Sequence, residues 1–512
     1  MPLVFIIILA SLFSLIFIAG PDLFLPATIL SPLAGALIIW LSPKASHSIH
    51  RVGALIFTFI SFILSLMLWA HFDLAAVSFQ QIFALQVSWK GTIWLSCPFG
   101  IDGFSLWMII LTTALFPMCV ICSWNTLWLC SQEFMVILLI LESMLLCVWS
   151  VLDLIAFYVF YESVLIPMFL LIAIAGSRDR KIKAAYQLVL YTLFGSLLFL
   201  PCLLFIYTQY GTTNLELLYQ ANISYDRQLV LWWGFWFAFA VKIPMVPLHL
   251  WLPEAHVEAS TAGSVILAGV LLKLGGYGFL RLCLPLLPEA CQYYSQFIFI
   301  LSLIALMYTA LITLRQVDLK KIIAYSSVAH MSLVMLSLFS LNDLSYTASM
   351  FFMLSHGIIS PALFLCVGFL YDRYHTKLLK YLGGASYTMP IFSTFFFFFT
   401  LGNMGLPLWP SFIAEFLCLT GLFAYHSWTA IIACFGMILS AAYSLWAYAR
   451  VVHGLPKPYS ITNMCDLCRR EVFTLIPLVI ISIWLGIKPG LVLDSLEVSS
   501  LLWQQLTDVR GL

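Results

Sequence analysis

The chain has 512 residues, of which 63% are hydrophobic and only 9% are charged, with 23 Lys and Arg against 22 Asp and Glu. A soluble domain has about 45–50% apolar and about 25% charged residues. The composition excludes a soluble globular protein and a disordered chain, and it leaves too few basic residues for a nucleic-acid-binding surface. It indicates an all-α polytopic membrane protein.

Fourteen apolar segments are candidates for membrane-spanning helices, which need about 20 residues each. The twelfth is too long for one span and contains Pro407 and Pro410, so we expect it to be broken. A further apolar run at residues 3–18 lacks the features of a secretory signal, and we expect an extra N-terminal membrane segment there. The predicted spans are 26–41, 52–71, 101–123, 133–150, 152–174, 185–209, 229–252, 260–283, 293–313, 318–340, 346–370, 387–425, 428–452 and 471–490.

The basic residues of the loops favour one orientation. Most lie in loops after odd-numbered spans, including Arg180 and Lys183, so the positive-inside rule places these loops in the cytoplasm or matrix. We interpret Lys320 and Lys321 as orientation signals of such a loop, and we assign Arg281 to a loop on the opposite side.

Ionisable side chains lie near the centres of several spans, where each costs about 2.5–3.5 kcal/mol unless it is paired or hydrated. A receptor or lipid anchor needs no such row, whereas a proton path does, because protons move between groups that change protonation state. The candidates are Glu142 in span 4, Glu162 in span 5, Lys242 in span 7, Lys273 in span 8, His330 in span 10, His356 in span 11 and Glu415 in span 12.

Some polar residues also have purely structural interpretations. His356 is explained almost as well by packing, and Glu142 by a tie between two helices, so both are secondary candidates. Asp102, in the GIDG turn, and Asp153, in the turn between spans 4 and 5, are interpreted as structural residues. The 13 cysteines have no metal-site or disulfide spacing, and nucleotide and zinc motifs are absent, so we expect no cofactor and no metal in this chain.

Proline residues interrupt spans 7 and 12, which are five spans apart. Span 7 contains Pro244, Pro247 and Pro253. Interrupted helices at matching positions of two halves indicate a transporter built from repeats. We therefore divide the chain into an N-terminal apolar extension (1–25), helices 1–3 (26–132), a first repeat of five helices (133–283), a second repeat (284–452), and a C-terminal loop, helix 14 and tail (453–512).

Four stretches carry a family resemblance: FYVFYESVLIPMF (157–169), AVKIPMVPLHLWLPEAHVEASTAGSVILAGVLLKLG (240–275), DLKKIIAYSSVAHMS (318–332) and MLSHGIISPALFLCVGFLYDR (353–373). They resemble the chain 4 family of NADH–ubiquinone oxidoreductase, the antiporter-like subunits of the membrane arm of respiratory complex I. The resemblance extends from about residue 30 to the C-terminus. The amino-acid sequence of these stretches is similar to that of plant, algal or protist mitochondrial members of the family.

The resemblance implies two inverted repeats within fourteen core helices, and proton pumping coupled to NADH oxidation by ubiquinone. It implies a mitochondrial inner-membrane location with organelle encoding, in contact with lipid and with other membrane-arm subunits, including neighbouring antiporter-like ones. NADH, FMN, iron–sulfur clusters and ubiquinone would be bound by other subunits. The family's relay positions fall on Glu162, Lys242, Lys273, His330 and Glu415, with His356 at a further polar position.

We predict a switchable pair of Glu162 and Lys242, followed by a path through Lys273 and His330 to Glu415. Two local departures from the family pattern leave the backbone conformation at these places open. Ser260 replaces a Pro, and the expected LPGT at the second break reads Leu406-Pro407-Leu408-Trp409 without its Gly. The alternatives are a subunit of a multi-subunit cation/proton antiporter and a structural scaffold that does not transport.

Overall fold

The protein is described from a computed structural model, which covers residues 20–43, 47–89, 92–124, 131–176, 179–455 and 465–508. The membrane segment predicted at residues 3–18 lies outside these residues. Twelve of the described helices are long and apolar enough to cross a membrane. The high share of apolar residues therefore produces the expected polytopic helical fold.

Most helices follow one another with short connections, and a β-hairpin lies between the second and the third of them. In chain order they are α1 (Phe24–Leu41), α2 (His47–Ala70), α3 (Gly103–Cys122), α4 (Ser131–Ser150), α5 (Leu154–Ser163), α6 (Leu165–Ala175), α7 (Lys181–Tyr210), α8 (Leu215–Leu218), α9 (Tyr225–Lys242), α10 (Trp251–Glu258), α11 (Thr261–Leu286), α12 (Pro288–Tyr293), α13 (Ser295–Arg315), α14 (Leu319–Leu338), α15 (Asp343–Tyr374), α16 (Ala385–Thr388), α17 (Pro390–Asn403), α18 (Pro410–Tyr425), α19 (Ser427–Val452), α20 (Arg469–Ile487) and α21 (Gly490–Asp508).

All fourteen predicted spans overlap helices, and both predicted breaks are confirmed. Span 7 ends as α9 at Lys242 and resumes as α10 at Trp251, while span 12 divides into α17 and α18. A proline has no backbone N–H and clashes with the preceding turn, which explains why helix stops at both places. The predicted domain divisions at 25/26, 132/133 and 283/284 fall within three residues of helix ends, and the two-repeat organisation stays a prediction.

A β-hairpin is the departure from the all-α prediction. Strand β1 (Gln80–Trp89) pairs antiparallel with β2 (Thr92–Ile101). Phe83 lies opposite Phe99, and their rings stack with centroids 4.9 Å apart. The stretch FALQVSW alternates apolar and polar residues, which is the period of a strand.

The C-terminal helix α21 was not predicted either. It packs against the start of α3, where the Trp107 indole donates a hydrogen bond of 2.7 Å to the Ser495 hydroxyl. The Gly103 amide donates to the Ser499 hydroxyl at 2.9 Å. A Cβ at Gly103 would overlap the Ser495 carbonyl oxygen, so glycine is required for this close approach.

Helices α11 and α15 form the centre of the molecule. Their most apolar 18-residue windows are 100% buried, compared with 33% for α7 and α20. The outer helices therefore present apolar faces to lipid or to neighbouring subunits, which is the expected arrangement in a membrane. The central position of α11 and α15 places Lys273 and His356 in the protein interior.

Candidate functional site

Lys242 is the last residue of α9, at the edge of the first break. Its ammonium donates a hydrogen bond of 2.8 Å to the Tyr161 carbonyl oxygen and lies 3.1 Å from the centroid of the Tyr161 ring. The Tyr161 hydroxyl in turn donates to the Ala238 carbonyl at 3.0 Å. A carbonyl and a π face both attract a cation, so α5 provides a binding position for the Lys242 ammonium that sequence analysis missed.

Glu162 lies next to Tyr161 at the end of α5. It is close enough to interact electrostatically with Lys242. Its two carboxylate oxygens are buried and have no hydrogen-bond partner, and the ion pairs found among the described residues do not include it. The structure therefore shows Lys242 turned to the Tyr161 carbonyl and not bonded to Glu162.

Lys273 lies in the middle of α11, directly after a π-helical turn at Leu267–Leu271. A π turn changes the normal pairing of backbone carbonyls, and such turns are frequent at functional sites. The Lys273 ammonium is fully buried and donates a hydrogen bond to the Ala268 carbonyl. Its second partner is His356 on α15, whose Nδ1 atom lies 2.8 Å away.

His356 connects Lys273 to the second half of the row. The centroids of the His356 and His330 rings are 5.7 Å apart. His330 Nδ1 lies 3.5 Å from Oε1 of Glu415, whose side chain is 1% exposed. The structure thus brings Lys273, His356, His330 and Glu415 together across α11, α15, α14 and α18.

A small cavity adjoins His330 and Glu415. It is lined by both residues and by Ser440 of α19. The centre of a water molecule can occupy about 10 Å³ of this cavity, which is close to the space that one water requires. Most of the lining is apolar, but His330, Glu415 and Ser440 supply the polar partners that one bridging water needs. Proton exchange between His330 and Glu415 therefore does not require direct contact.

The row divides into two groups. Within the described residues, no hydrogen bond or ion pair joins Lys242 to Lys273. Glycine allows close packing between them, because a Cβ at Gly275 would lie 2.8 Å from the Ile243 nitrogen at the first break. Lys242 with its partner Tyr161, and Lys273 with its partner His356, are therefore two adjacent groups. The two lysine ammonium groups are not connected to each other in this structure.

Glu142 lies outside this row of contacts. The Ser61 hydroxyl on α2 donates a hydrogen bond to its Oε1 atom, whereas Oε2 is buried without a partner. The carboxylate is 0% exposed and ties α4 to α2. Its geometry matches the structural interpretation, and a transport role for Glu142 stays a prediction.

The second break has a left-handed backbone at two positions. Gly405 has φ +70°, and a Cβ there would overlap Oε2 of Glu415. Leu408, which stands where the family pattern has Gly, keeps a positive φ of +88°. The backbone of the break therefore keeps the positive φ that glycine usually adopts, although the residue is a leucine. A bulky side chain at a positive φ has a steric cost.

The other departure, Ser260, has a local explanation. Its side chain accepts a hydrogen bond of 3.3 Å from the Gly263 amide and so caps α11 at its N-terminus. Serine is among the preferred residues at this position because its oxygen satisfies one of the free amides of the first turn. The exchange of Pro for Ser replaces one helix-start signal with another.

Lys320 is not only an orientation signal. It is 1% exposed, and its ammonium donates to the Ala259 carbonyl at 3.0 Å and to the Ser264 hydroxyl at 3.3 Å. Lys377 donates to the Val257 carbonyl at 2.6 Å. Both cations therefore hold the C-terminal end of α10, where free carbonyls and the helix dipole attract positive charge.

The assignment of Arg281 to a loop was wrong. Arg281 lies inside α11, is 2% exposed and forms an ion pair with Asp102. Asp102 also caps α3, because its side chain accepts a hydrogen bond of 2.9 Å from the Ser105 amide. The structural role expected for Asp102 from the sequence agrees with this geometry, but its buried partner was not recognised.

No group of three or more His, Cys, Asp and Glu side chains within the described ranges has the arrangement of a metal site. The cysteines there are free thiols.

Comparisons with known proteins show the family of the chain. Residues 151–440 match the family described as NADH:quinone oxidoreductase/Mrp antiporter, TM. The chain is 51% identical over 475 residues to NADH-ubiquinone oxidoreductase chain 4 of Arabidopsis thaliana, covering 93% of this chain and 96% of that protein. It is 52% identical over 475 residues to the protein of the same name from Marchantia polymorpha, with the same two coverages.

Solved structures show the same fold. A chain of respiratory complex I from Thermus thermophilus superposes with a TM-score of 0.84 at 27% identity, covering 94% of this chain and 99% of that one. A chain of the Mrp complex from Dietzia superposes with a TM-score of 0.82 at 18% identity, covering 96% and 99% respectively. The second likeness concerns the fold alone.

Proposed function

Because the chain belongs to the NADH-ubiquinone oxidoreductase chain 4 family of antiporter-like membrane subunits, we propose that its row of buried charges translocates protons. It is a membrane-arm subunit of complex I, the NADH:ubiquinone oxidoreductase, and assembles with the other subunits of that arm. The observation that carries the residue assignment is the series of neighbouring groups from Lys273 through His356 and His330 to Glu415, in which the two histidine rings are adjacent but not hydrogen-bonded to each other.

Each step of this series transfers a proton between neighbouring groups. The Lys273 ammonium already donates its hydrogen bond to Nδ1 of His356, so the transfer leaves a neutral amine and a histidinium. The histidinium passes a proton to His330, and His330 passes it to the Glu415 carboxylate directly or through one water in the adjoining cavity. Glu415 is the acceptor at the end of the described path.

Only one of these groups holds the excess proton at a time. Lys273, His356 and His330 are packed together in the interior, where like charges repel strongly because water is excluded. A second proton arriving at Lys273 therefore promotes departure of the first from His330. This repulsion gives the path a direction once protons are supplied at the Lys273 end.

Lys242 and Glu162 supply the switch. In the structure the Lys242 ammonium is held by the Tyr161 carbonyl and ring, while Glu162 is buried nearby without a hydrogen bond. Movement of the ammonium toward Glu162 forms a neutral pair and withdraws positive charge from the Lys273 group. The first break, directly after Lys242, gives this side chain and its backbone room to move.

The decisive experiment replaces Lys273 with Met in the assembled complex. Proton uptake and NADH oxidation are measured together in proteoliposomes, and assembly is checked by native gel electrophoresis. We expect a complex of normal size with a reduced proton-to-electron ratio, because Met fills the space but cannot carry a proton. Lys488→Met, at an exposed position after α20, is the matched control and should keep the normal ratio.

A normal proton-to-electron ratio in the Lys273→Met complex would refute the path. It would favour the scaffold alternative, in which the chain only braces the membrane arm. The cation/proton antiporter alternative predicts instead that the purified chain travels without flavin-containing and iron–sulfur-containing subunits. The 51% identity over most of the chain to a chain 4 protein favours complex I over that alternative.

The location follows from the same relatives. We propose that the protein lies in the mitochondrial inner membrane and is encoded in the organelle, because its similar relatives include chain 4 proteins of plants and algae. NADH, FMN, iron–sulfur clusters and ubiquinone are then bound by other subunits of the complex. Fractionation of the host cell, followed by detection of this chain with inner-membrane markers, tests the assignment.

A further inference from the structure

A buried arginine follows Lys273 along the same helix. Lys273 and Tyr277 are spaced by four residues in α11, which places their side chains on one side of the helix. Arg281 follows in a second π-helical turn, Phe279–Cys283, and its guanidinium lies 5.9 Å from the centroid of the Tyr277 ring. All three are at most 2% exposed. The line leads from the centre of the membrane toward the end of α11, which is the face opposite to the basic loops.

The guanidinium of Arg281 is fixed in place. Its Nη1 atom forms the ion pair with Asp102, while its Cζ atom lies 4.3 Å from the centroid of the Phe79 ring and 5.9 Å from that of Tyr277. The Nε and Nη2 atoms are buried without a hydrogen-bond partner. Arg281 therefore holds a permanent positive charge inside the protein, because a guanidinium does not deprotonate in proteins.

The hydroxyl groups beside Arg281 are not arranged as a relay. Tyr277 donates its hydroxyl proton to the Trp149 carbonyl at 2.9 Å, and Tyr219 donates to the Arg281 carbonyl at 2.9 Å. A carbonyl oxygen accepts a hydrogen bond but has no proton to pass on. The hydroxyl groups between Lys273 and the end of α11 thus form no relay with one another, and the line ends at a fixed cation.

We propose that Arg281 is a barrier that keeps the proton on Lys273 from leaving along α11, so that it moves sideways to His356. This inference rests on the proposed function of Lys273. A fixed cation opposes the approach of a proton in the same way that an arginine excludes protons and cations from selective pores. Asp102 holds the guanidinium in position without taking its proton, and Phe79 and Tyr277 keep water away from it.

The test measures passive proton entry into proteoliposomes that contain the whole complex without NADH, using a trapped pH-sensitive dye after an acid pulse. The variant combines Asp102→Asn with Arg281→Gln, which removes both charges and keeps groups that can hydrogen-bond. We expect proton entry to be faster than in the wild type, by less than the roughly tenfold that loss of an unpaired like charge about 12 Å from Lys273 would give at intermediate dielectric, because Asp102 offsets part of the field of Arg281. Adding Lys273→Met should return the rate to that of the wild type.

The control combines Arg373→Gln with Glu471→Gln. These residues form a second largely buried ion pair at 2.6 Å, away from Lys273, so their loss should leave proton entry slow. Wild-type tightness of the Asp102→Asn, Arg281→Gln complex would overturn the proposal. A leak that persists after Lys273→Met would also overturn it, because the escaping proton would then not come from Lys273.

A second variant covers the case in which the neutral pair prevents assembly. Arg281→His keeps a cation at acidic pH and loses it as the pH rises, so its leak should increase with pH relative to the wild type in the same preparation. A leak with the pH dependence of the wild type would overturn the proposal. Failure of the proposed function is separate, because it appears as normal pumping by the single variant Lys273→Met.

Discussion

At the scale of single residues, His356 has a larger role than its sequence position suggests. In the sequence, packing explains it almost as well as transport does, and the predicted path runs from Lys273 to His330. In the structure Lys273 bonds to His356 at 2.8 Å, and His356 lies beside His330. His356 is therefore the connecting group between α11 and α14.

The replacement His356→Gln tests this position. Gln can still accept the hydrogen bond from Lys273 but cannot take up a proton, so we expect proton transfer through this subunit to fall by about 100-fold, as for loss of a positioned acid–base group. The measurement is the proton-to-electron ratio of the assembled complex. His453→Gln, at an exposed position after α19, should leave the ratio unchanged. Retention of the normal ratio by His356→Gln would return His356 to a packing role.

The members of the row could be predicted from sequence, but their order could not. A Lys or Glu in an apolar span stands out, because nothing in lipid compensates its charge. Sequence gives the depth of each residue in its own span, whereas the neighbours of that span depend on packing among all the helices. Tyr161 illustrates the limit, because its backbone carbonyl and ring hold Lys242 without any unusual residue type.

At the scale of elements, the second break positions Glu415 through Gly405. This glycine has φ +70°, and its Cα hydrogen faces the carboxylate so closely that a Cβ would overlap Oε2. The carboxylate is consequently confined between the break and His330, from which it is 3.5 Å away. The break thus limits how far the Glu415 carboxylate can lie from His330.

We expect Gly405→Ala to impair pumping by pushing the Glu415 carboxylate from His330. Gly454→Ala is a matched control, because Gly454 also has a positive φ of +97° but a Cβ added there would meet no atom within 4 Å. Both variants carry a conformational cost of about 1–2 kcal/mol. Thermal stability of the complex should therefore fall similarly in both, while the proton-to-electron ratio should fall in Gly405→Ala alone. Equal ratios in the two variants would show that the break does not position Glu415.

The breaks were predictable, but the hairpin and the π turns were not recognised. Proline stops a helix through its own covalent structure, so its effect can be read from sequence. The hairpin of β1 and β2 has a period of two, but its residues are mostly apolar, as in a span, and this hides the strand signal. The π turn before Lys273 depends on the tight packing of α11, and its residues Leu267–Leu271 are ordinary helix residues.

At the scale of the whole molecule, the proposed path runs across the helices and not along one of them. The groups from Lys273 to Glu415 come from four helices. Such a lateral arrangement was predictable from sequence, because each residue is central in its own span. The first contact of the series, between Lys273 and His356, joins the two most deeply buried helices, α11 and α15.

The orientation of the molecule in the membrane is predicted from its basic loops. Arg281, assigned from the sequence to a loop on the less basic side, lies inside α11 and forms an ion pair with Asp102. Lys320 and Lys377 of the more basic side are buried as well, and most of the remaining basic loop residues still lie after odd-numbered spans. The loops after odd-numbered spans should therefore face the matrix.

Native cysteines provide the test of this orientation. Cys465 and Cys468 are exposed in the segment between α19 and α20, after span 13, so a membrane-impermeant maleimide should label them in inverted inner-membrane vesicles and not in intact mitoplasts. Replacing both with Ser should abolish the labelling, which identifies the site. Asn222→Cys, exposed between α8 and α9 after span 6, should show the opposite pattern because that connection lies on the other face. Labelling of Cys465 and Cys468 in mitoplasts, together with labelling of the Asn222→Cys variant in inverted vesicles, would show that the molecule has the opposite orientation. The proton released from Glu415 would then enter the opposite compartment.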